Sequence, residues 1–223
     1  MTKENWHQIY SAGEQLNKYP YDFIVSSYFR HRPVRDEANP VKILDLGCGA
    51  GNNAFFCAEN DAQVLAVDFS TAALDVFMQR ADDKGLTERI RTQQVDFEDF
   101  ELDESGFDMI IDRLAVSHVS QQHALSIYDR VYELMNVGGI VLANLFTTEH
   151  LHKDFGEYDE QNDIWSNFKG GIFENLKTAY FYNENNVRHL FRKFTLLSLV
   201  RSTEKNVLAD NDQSEIWNIV AQK

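Results

Sequence analysis

The chain has 223 residues, of which 43% are hydrophobic and 25% charged, and its 21 basic and 35 acidic side chains give a formal net charge of −14. This length suits one α/β domain with added elements and a substantial core. So acidic a surface repels phosphate backbones, which argues against nonspecific binding of DNA or RNA. The charge also serves solubility, and it leaves a neutral or cationic small-molecule substrate open.

The N-terminus is polar and lacks the apolar segment of a signal peptide, and no apolar run has the length of a membrane span. We therefore expect a cytoplasmic protein with no membrane partner. In a reducing compartment Cys48 and Cys57 are expected to be free thiols. Their spacing matches no pattern of metal ligands.

Along the chain, short apolar runs alternate with segments of helical periodicity, which predicts strands separated by helices. The predicted strands are 41–46, 64–68, 91–96, 107–112, 140–146, 195–201 and 216–221, and the predicted helices include 53–58, 72–81 and 184–193. A further helix, apolar at Leu125, Ile127 and Val131, is expected to end at Gly138 and Gly139. Strands that alternate with helices favour parallel pairing and right-handed crossovers.

Two segments depart from this alternation. Residues 1–40 are rich in tyrosine, phenylalanine and polar groups and are predicted to be a helical extension, whereas 147–182 has no single period and is predicted to be an inserted cap. A polar loop, 203–214, is expected between the last two strands. We predict a single domain made of the extension 1–40, the core 41–146, the cap insert 147–182 and a C-terminal helix with strands over 183–223.

The most informative motif lies between the first predicted strand and the helix after it. Glycines at 47, 49 and 51 permit a tight turn and close approach of a ligand, although a turn without a ligand has the same composition. The dinucleotide fingerprint G-x-G-x-x-G needs glycine where Asn52 stands, which disfavours NAD(P). Asp45 would repel a pyrophosphate and attract an ammonium group, directly or through water.

The run Asp45-Leu-Gly47-Cys48-Gly49-Ala-Gly51 resembles the D/E-x-G-x-G-x-G signature of class I methyltransferases that use S-adenosylmethionine (SAM). The resemblance covers about residues 41–146 and extends to small-molecule members, including the tellurite-resistance group. It implies a Rossmann-like α/β fold with a mainly parallel seven-stranded sheet, helices on both faces, and SAM as the cofactor.

The resemblance also implies roles for residues at the ends of the later strands. Asp68 is expected to accept hydrogen bonds from both ribose hydroxyls, with Phe69 against the adenine. Asp96 is expected to bind the adenine amino group and Phe97, through its N–H, a ring nitrogen. Arg113 lies where backbone carbonyls approach the methionine amine. Any one of these acids is also a common turn former, but ligands of open α/β sheets do bind at this edge.

Aromatic residues of the extension resemble the N-terminal lid of small-molecule members. These residues include Trp6, Tyr10 and Tyr21, and an aromatic ring over the sulfonium stabilises it by about 0.5–2 kcal/mol. They also suit the apolar face of a helix packed on the sheet, which is the interpretation we favour for Trp6. For Tyr10 both interpretations stay open, and we include it among the cofactor-binding candidates.

Methyl transfer from a sulfonium needs alignment above all, and a general base only when the acceptor arrives protonated. His118, shortly after the fourth strand, is the candidate base, with a helix-capping or packing role as the alternative. His150 and His152 form a His-x-His pair, but no carboxylate constellation accompanies them, so we predict no metal site.

The acceptor is expected to bind between the N-terminal extension and the insert. The insert supplies an aromatic set that suits an apolar or flat substrate, or equally a small core of its own; its members are Phe155, Tyr158, Trp165, Phe168, Phe173, Tyr180 and Tyr182. We predict a SAM-dependent methyltransferase that acts on O, N or S of a small molecule, as a monomer or homodimer. A SAM-binding regulator or pseudo-enzyme is the main alternative, and an NAD(P)-dependent oxidoreductase is disfavoured by Asn52 and Asp45.

Overall fold

A computed structural model describes residue 7 and the ranges 9–14, 16–176, 178–209 and 212–223. Trp6, one of the aromatic residues expected in the lid, lies outside the described residues. The helices are α1 (Asp22–His31), α2 (Asn52–Glu59), α3 (Thr71–Asp83), α4 (Gln121–Leu134) and α5 (Glu184–Leu190). Within the described ranges, no helix is both long and apolar enough to cross a membrane.

Seven strands form one central sheet. They are β1 (Lys42–Leu46), β2 (Gln63–Asp68), β3 (Ile90–Gln94), β4 (Phe107–Arg113), β5 (Met135–Phe146), β8 (Thr195–Lys205) and β9 (Gln213–Gln222), in the order β3-β2-β1-β4-β5-β9-β8. Neighbours from β3 to β5 pair in parallel, and β9 is antiparallel to both β5 and β8. The mainly parallel, Rossmann-like sheet that the sequence predicts is confirmed.

Alternate residues of the central strands enter two different hydrophobic cores. Leu44 and Leu46 of β1 pack on the face covered by α4 and α5, whereas Ile43 packs on the face covered by α1, α2 and α3. Because both faces are covered, apolar residues follow one another in these strands instead of alternating with polar ones. This is why they read in the sequence as short continuous apolar runs.

The chain passes from α4 into β5 differently from the expectation. The helix ends at Leu134 and β5 begins at Met135, so Gly138 and Gly139 lie within the strand and the prediction that they end the helix was wrong. The pairing of β5 with β4 shifts register between Phe107 and Met109. Gly138 has a φ of +82°, so the two glycines form an irregularity in the strand where backbones approach closely.

The bounds of four other elements also differ from the expectation. Strands β8 and β9 extend further than expected, which shortens the polar loop from 203–214 to 206–212. Strand β3 ends at Gln94, before Asp96, and α5 ends at Leu190. The hairpin is longer because its polar residues still pair across the two strands, for example Thr203 opposite Glu215.

The described residues of the segment 147–182, which are 147–176 and 178–182, follow β5 and contain little regular structure. Short 3₁₀ turns flank a small hairpin of β6 (Glu157–Asp159) and β7 (Ile164–Ser166), and bridges join Thr147 to Tyr182 and Trp165 to Ala179. Phe168, Phe173 and Phe181 form a separate core with Phe146 at the end of β5. Of the aromatic set, Phe168 and Phe173 belong to this core and Trp165 packs against it, whereas Tyr180 and Tyr182 belong to the main core. Most of the set therefore serves packing, and only part of it forms a core of the insert's own.

Gly51 begins α2 in the left-handed conformation, with φ +90°, and a Cβ there would lie 2.6 Å from the ring of Phe77 and 2.8 Å from that of Phe55. Gly85 also has positive φ, +67°, but a Cβ there meets nothing within 4 Å. A side chain at Gly85 would therefore introduce backbone strain alone, whereas one at Gly51 would introduce both backbone strain and overpacking.

We predict that Gly51→Ala lowers the free energy of unfolding by about 1–3 kcal/mol more than Gly85→Ala does, because only the first adds overpacking to the backbone strain. Denaturant titration of both variants measures the difference. Equal losses of stability would show that Phe55 and Phe77 do not confine this turn.

Candidate functional site

A cavity of about 480 Å³ opens at the carboxyl ends of the parallel strands, where open α/β sheets bind ligands. Ten of the predicted site residues line it: Tyr10, Gly47, Cys48, Gly49, Asp68, Phe69, Asp96, Phe97, Arg113 and His118. Asp45 is the exception, because it is buried at the end of β1 and does not line the cavity. The structure thus brings together nearly all of the residues that the sequence singled out.

The glycine loop after β1 is held against the end of β2 by one carboxylate. Asp68 Oδ2 accepts from the Gly49 N–H at 2.9 Å, and Oδ1 accepts from the Ser70 N–H at 2.9 Å. A carboxylate oxygen accepts more than one hydrogen bond, so Asp68 retains capacity for hydroxyl donors. A Cβ on Gly49 would lie 2.4 Å from the Tyr10 hydroxyl, so only glycine lets the lid residue approach this closely.

Three buried carboxyl groups lie at the ends of three adjacent strands, Asp45 on β1, Asp68 on β2 and Asp112 on β4. Burial, and then the neighbouring charges of Asp68 and Asp112, raise the pKa of Asp45 to about 8. Burial raises the pKa of Asp112 to about 6 and also raises that of Asp68. We call these three residues the acidic trio.

Among the residues that the structure describes, one atom of the trio has no hydrogen-bond partner, the buried Asp45 Oδ2. A buried polar atom without a partner is costly unless a ligand or water satisfies it. The trio therefore fits a positively charged group near the glycine loop, and an anionic diphosphate does not fit it. This is the electrostatic character that a SAM site needs.

Arg113 and Leu114 direct the chain around the cavity after β4. The Arg113 guanidinium lies 4.0 Å from the centre of the Tyr21 ring, and burial lowers the pKa of Arg113. Leu114 has a φ of +65°, which is rare for a residue other than glycine and is characteristic of functional turns. As a result, Leu114 and Ala115 both line the cavity.

His118 lies in a 3₁₀ turn, Val116–His118, and is buried. Its Nδ1 lies 2.7 Å from the backbone oxygen of Thr178 in the insert. Because a carbonyl oxygen only accepts, Nδ1 carries the proton and Nε2 is the basic nitrogen of the neutral ring. Burial also lowers the pKa of His118 below its usual 6.5, which favours this neutral form.

Several lining residues were not foreseen from the sequence. The insert contributes Ile164, Ile172 and Leu176 as an apolar wall, although the segment shows no periodicity that would have identified them. Asn17 also lines the cavity, from the N-terminal side, and carried no signal in the sequence. Tyr21, which lines the cavity beside it, was among the aromatic residues expected in the lid.

The His-x-His pair is engaged in the insert and does not line the cavity. His150 Nδ1 accepts from the His152 N–H at 3.3 Å, while His152 contacts Asp212 at 3.2 Å and accepts from the Ile172 N–H at 3.1 Å. Burial lowers the pKa of His150 to about 4. In the part of the chain that the structure describes, no group of three or more His, Cys, Asp or Glu side chains is arranged to hold a metal.

Comparison with known proteins adds independent information. Residues 43–139 match the family model described as "Methyltransferase domain". The chain is 30% identical over 110 residues to the "Probable fatty acid methyltransferase" of Pseudomonas putida, across 49% of this chain and 28% of that protein. The first curated relatives are longer, since the matches cover only 28%, 20% and 24% of their lengths.

Solved structures match over nearly the whole chain. TehB from Haemophilus influenzae has a TM-score of 0.68 at 17% identity, over 97% of this chain and 67% of that one. The 1,6-didemethyltoxoflavin-N1-methyltransferase of Burkholderia thailandensis, with 1,6-didemethyltoxoflavin and S-adenosylhomocysteine bound, has a TM-score of 0.70 at 17% identity, over 99% and 86%. At identities this low, the structural similarity shows that the fold is shared and shows nothing further.

The acidic trio makes the stability of the ligand-free protein depend on pH. An Asp carboxyl with its ordinary pKa of 3.8 ionises in the unfolded chain, whereas Asp45 in the folded protein has a pKa of about 8. Between these values the folded state binds more protons than the unfolded state, so stability falls as the pH rises.

We predict that Asp45→Asn flattens this pH dependence and raises the free energy of unfolding at pH 8, because it removes a carboxyl that must ionise while buried. Urea unfolding at pH 5 and pH 8 without ligand measures it, with the exposed Asp75→Asn as control. A slope equal to that of the unsubstituted protein would contradict the assignment.

Proposed function

We propose that the protein binds SAM and methylates a small-molecule acceptor, because residues 43–139 match the methyltransferase-domain family model and the sheet has the fold of SAM-dependent methyltransferases. The observation that carries the proposal is the glycine loop, which Asp68 holds beside a buried acidic trio. This combination suits a nucleoside with a cationic tail better than a diphosphate.

We assign a different part of the cofactor to each group of residues that lines the cavity. Asp68 is positioned for the ribose hydroxyls, and Phe69, Asp96 and Phe97 for the adenine, while Gly47, Cys48 and Gly49 supply the backbone beside the methionine tail. Arg113 contributes its backbone, since its side chain is stacked on Tyr21. Asp45 is buried behind the glycine loop and does not line the cavity, so it would interact with the cationic methionine tail through its charge or through an intervening water. Tyr10 closes over Gly49.

Bound SAM supplies an electrophilic methyl group, and the protein aligns the acceptor and removes its proton. We assign the proton transfer to His118, because Thr178 fixes the tautomer in which Nε2 is basic. The apolar wall of Ile164, Ile172 and Leu176 favours an acceptor with an apolar body and one protonated O, N or S atom. One protein with this fold is named as a methyltransferase of the small molecule 1,6-didemethyltoxoflavin.

A SAM-binding regulator is the second candidate, since the acids and glycines explain binding without proving turnover. The position of His118 in the cavity lining, with its tautomer fixed by Thr178, supports an enzyme, because a regulator needs no base. Transfer of a labelled methyl group from SAM to a panel of phenols, thiols and amines distinguishes the two. The assignment of domains, a cytoplasmic location and a monomeric or homodimeric state stay predictions.

Asp68→Asn is expected to weaken SAM binding by roughly 10- to 150-fold, which corresponds to about 1.5–3 kcal/mol for a hydrogen bond to a charged group. Calorimetric titration with SAM measures it, and Asp75→Asn again serves as the surface control. Unchanged affinity in a folded Asp68→Asn protein would remove the ribose assignment, and NADH binding to the unsubstituted protein would favour an oxidoreductase.

His118→Gln is expected to lower kcat by roughly 10²- to 10⁴-fold without changing SAM affinity, as loss of a general base does. The activity of the unsubstituted protein is expected to hold from neutral pH down to 6.5 and fall only in more acidic solution, because the pKa of His118 lies below 6.5. The variant should lack this acidic limb. Turnover that matches the exposed-surface control His189→Gln would leave His118 a packing residue.

A further inference from the structure

Residues 16–21 form a segment that runs along the N-terminal side of the cavity, and we call it the strap. Two of its residues, Asn17 and Tyr21, line the cavity, and the Asn17 amide donates to the Tyr21 hydroxyl at 2.8 Å. The strap contains no helix or strand. Its position therefore depends on contacts with the rest of the protein.

Arg80, on α3, binds the strap and the glycine loop at the same time. Its guanidinium donates to the backbone oxygens of Leu16 at 3.2 Å, Asn17 at 3.3 Å and Ala50 at 3.2 Å. Ala50 lies within the glycine loop, so a single charged side chain connects the loop to the strap. The planar guanidinium, with five N–H donors, can make all three bonds, and a lysine ammonium at this position lacks that geometry.

Two asparagines at the start of α2 hold the rest of the strap. The Asn52 amide donates to the Tyr19 backbone oxygen at 3.0 Å, and the Asn53 side-chain oxygen accepts from the Tyr21 N–H at 3.4 Å. Asn52 is the residue that breaks the dinucleotide fingerprint, and here it has a function of its own. On the side of β4, Arg113 stacks on the Tyr21 ring at 4.0 Å.

We propose that Arg80 is a positioning residue that latches the strap over the cofactor, assisted by Asn52 and Asn53. The inference rests on the proposed function, because the cavity beside the strap is the one assigned to SAM. Arg80 does not line the cavity and so acts through the strap and the loop. Its three hydrogen bonds to described residues go to backbone carbonyls, so they do not depend on which side chains the strap carries.

The latch has a kinetic consequence. A cofactor beneath the strap leaves only when the strap opens, and release of product limits turnover in many enzymes with lids. Loss of the latch should therefore speed dissociation of S-adenosylhomocysteine and raise KM for SAM, without lowering kcat at saturating SAM. A residue that merely stabilised the fold would change the melting temperature and leave these constants unchanged.

The test compares Arg80→Ala and Arg80→Lys with the unsubstituted protein, and uses S-adenosylhomocysteine as the probe in stopped-flow dissociation. We expect Arg80→Ala to raise the dissociation rate roughly tenfold or more, since it removes three hydrogen bonds from a charged donor. The dissociation rate of Arg80→Lys should lie between those of Arg80→Ala and the unsubstituted protein. Arg188→Ala, which removes an exposed pair with Glu184, is the matched control.

Trypsin supplies a readout that does not depend on cofactor binding. Lys18 is exposed within the strap, and cleavage after it reports strap opening. We expect faster cleavage after Lys18 in Arg80→Ala than in Arg188→Ala, at equal melting temperature. Equal cleavage and equal dissociation rates would overturn the latch. If no variant bound S-adenosylhomocysteine, the proposed function would fail, and cleavage after Lys18 would still decide whether Arg80 holds the strap.

Discussion

The structure depends on the burial of the acidic trio, Asp45, Asp68 and Asp112, at the carboxyl ends of three adjacent strands. Burial raises the pKa of each carboxyl, and the protein offsets part of this with backbone donors. Asp68 binds the N–H of Gly49, and Asp112 binds that of Val116 and the hydroxyl of Tyr128. The carboxyls thus shape the loops of the site while they make it attractive to a cation.

This arrangement couples the site's charge to its catalytic geometry. Val116 begins the turn that carries His118, so the carboxyl that completes the trio also anchors the candidate base. From the opposite side, the backbone oxygen of Thr178, in the insert, accepts a hydrogen bond from His118 Nδ1–H. The Thr178 hydroxyl in turn donates to the His118 backbone oxygen at 3.3 Å. The turn that carries the base is therefore bonded to the sheet, and the base itself is bonded to the insert.

The sequence was sufficient for the features that depend on local pattern. Apolar runs and helical periodicity predicted the strands and most helices, and the glycines with their acids predicted the cavity edge. Gly138 and Gly139 misled because glycine pairs serve both helix ends and strand irregularities, and pairing with β4 decided between them. The role of Asn52 was likewise invisible, since its partner Tyr19 lies in a segment without periodicity.

Contacts between distant segments account for the rest. The tautomer of His118 is set by Thr178, and no pattern within either segment indicates that contact. For the aromatic residues of the insert a substrate wall and a core were both open; most of them pack in the two cores, and Ile164, Ile172 and Leu176 line the cavity instead. No pattern in the sequence marks Arg80, because its partners Leu16 and Asn17 lie in a segment without periodicity.

The central claim is that a cationic cofactor is bound because buried carboxyls become ionised beside it. Calorimetric titration with SAM at pH 7, in two buffers of different ionisation enthalpy, measures proton exchange on binding directly. Because the pKa of Asp45 is about 8 in the ligand-free protein, the account predicts that SAM binds with release of protons. Binding without proton release, or no binding of SAM at all, would contradict it.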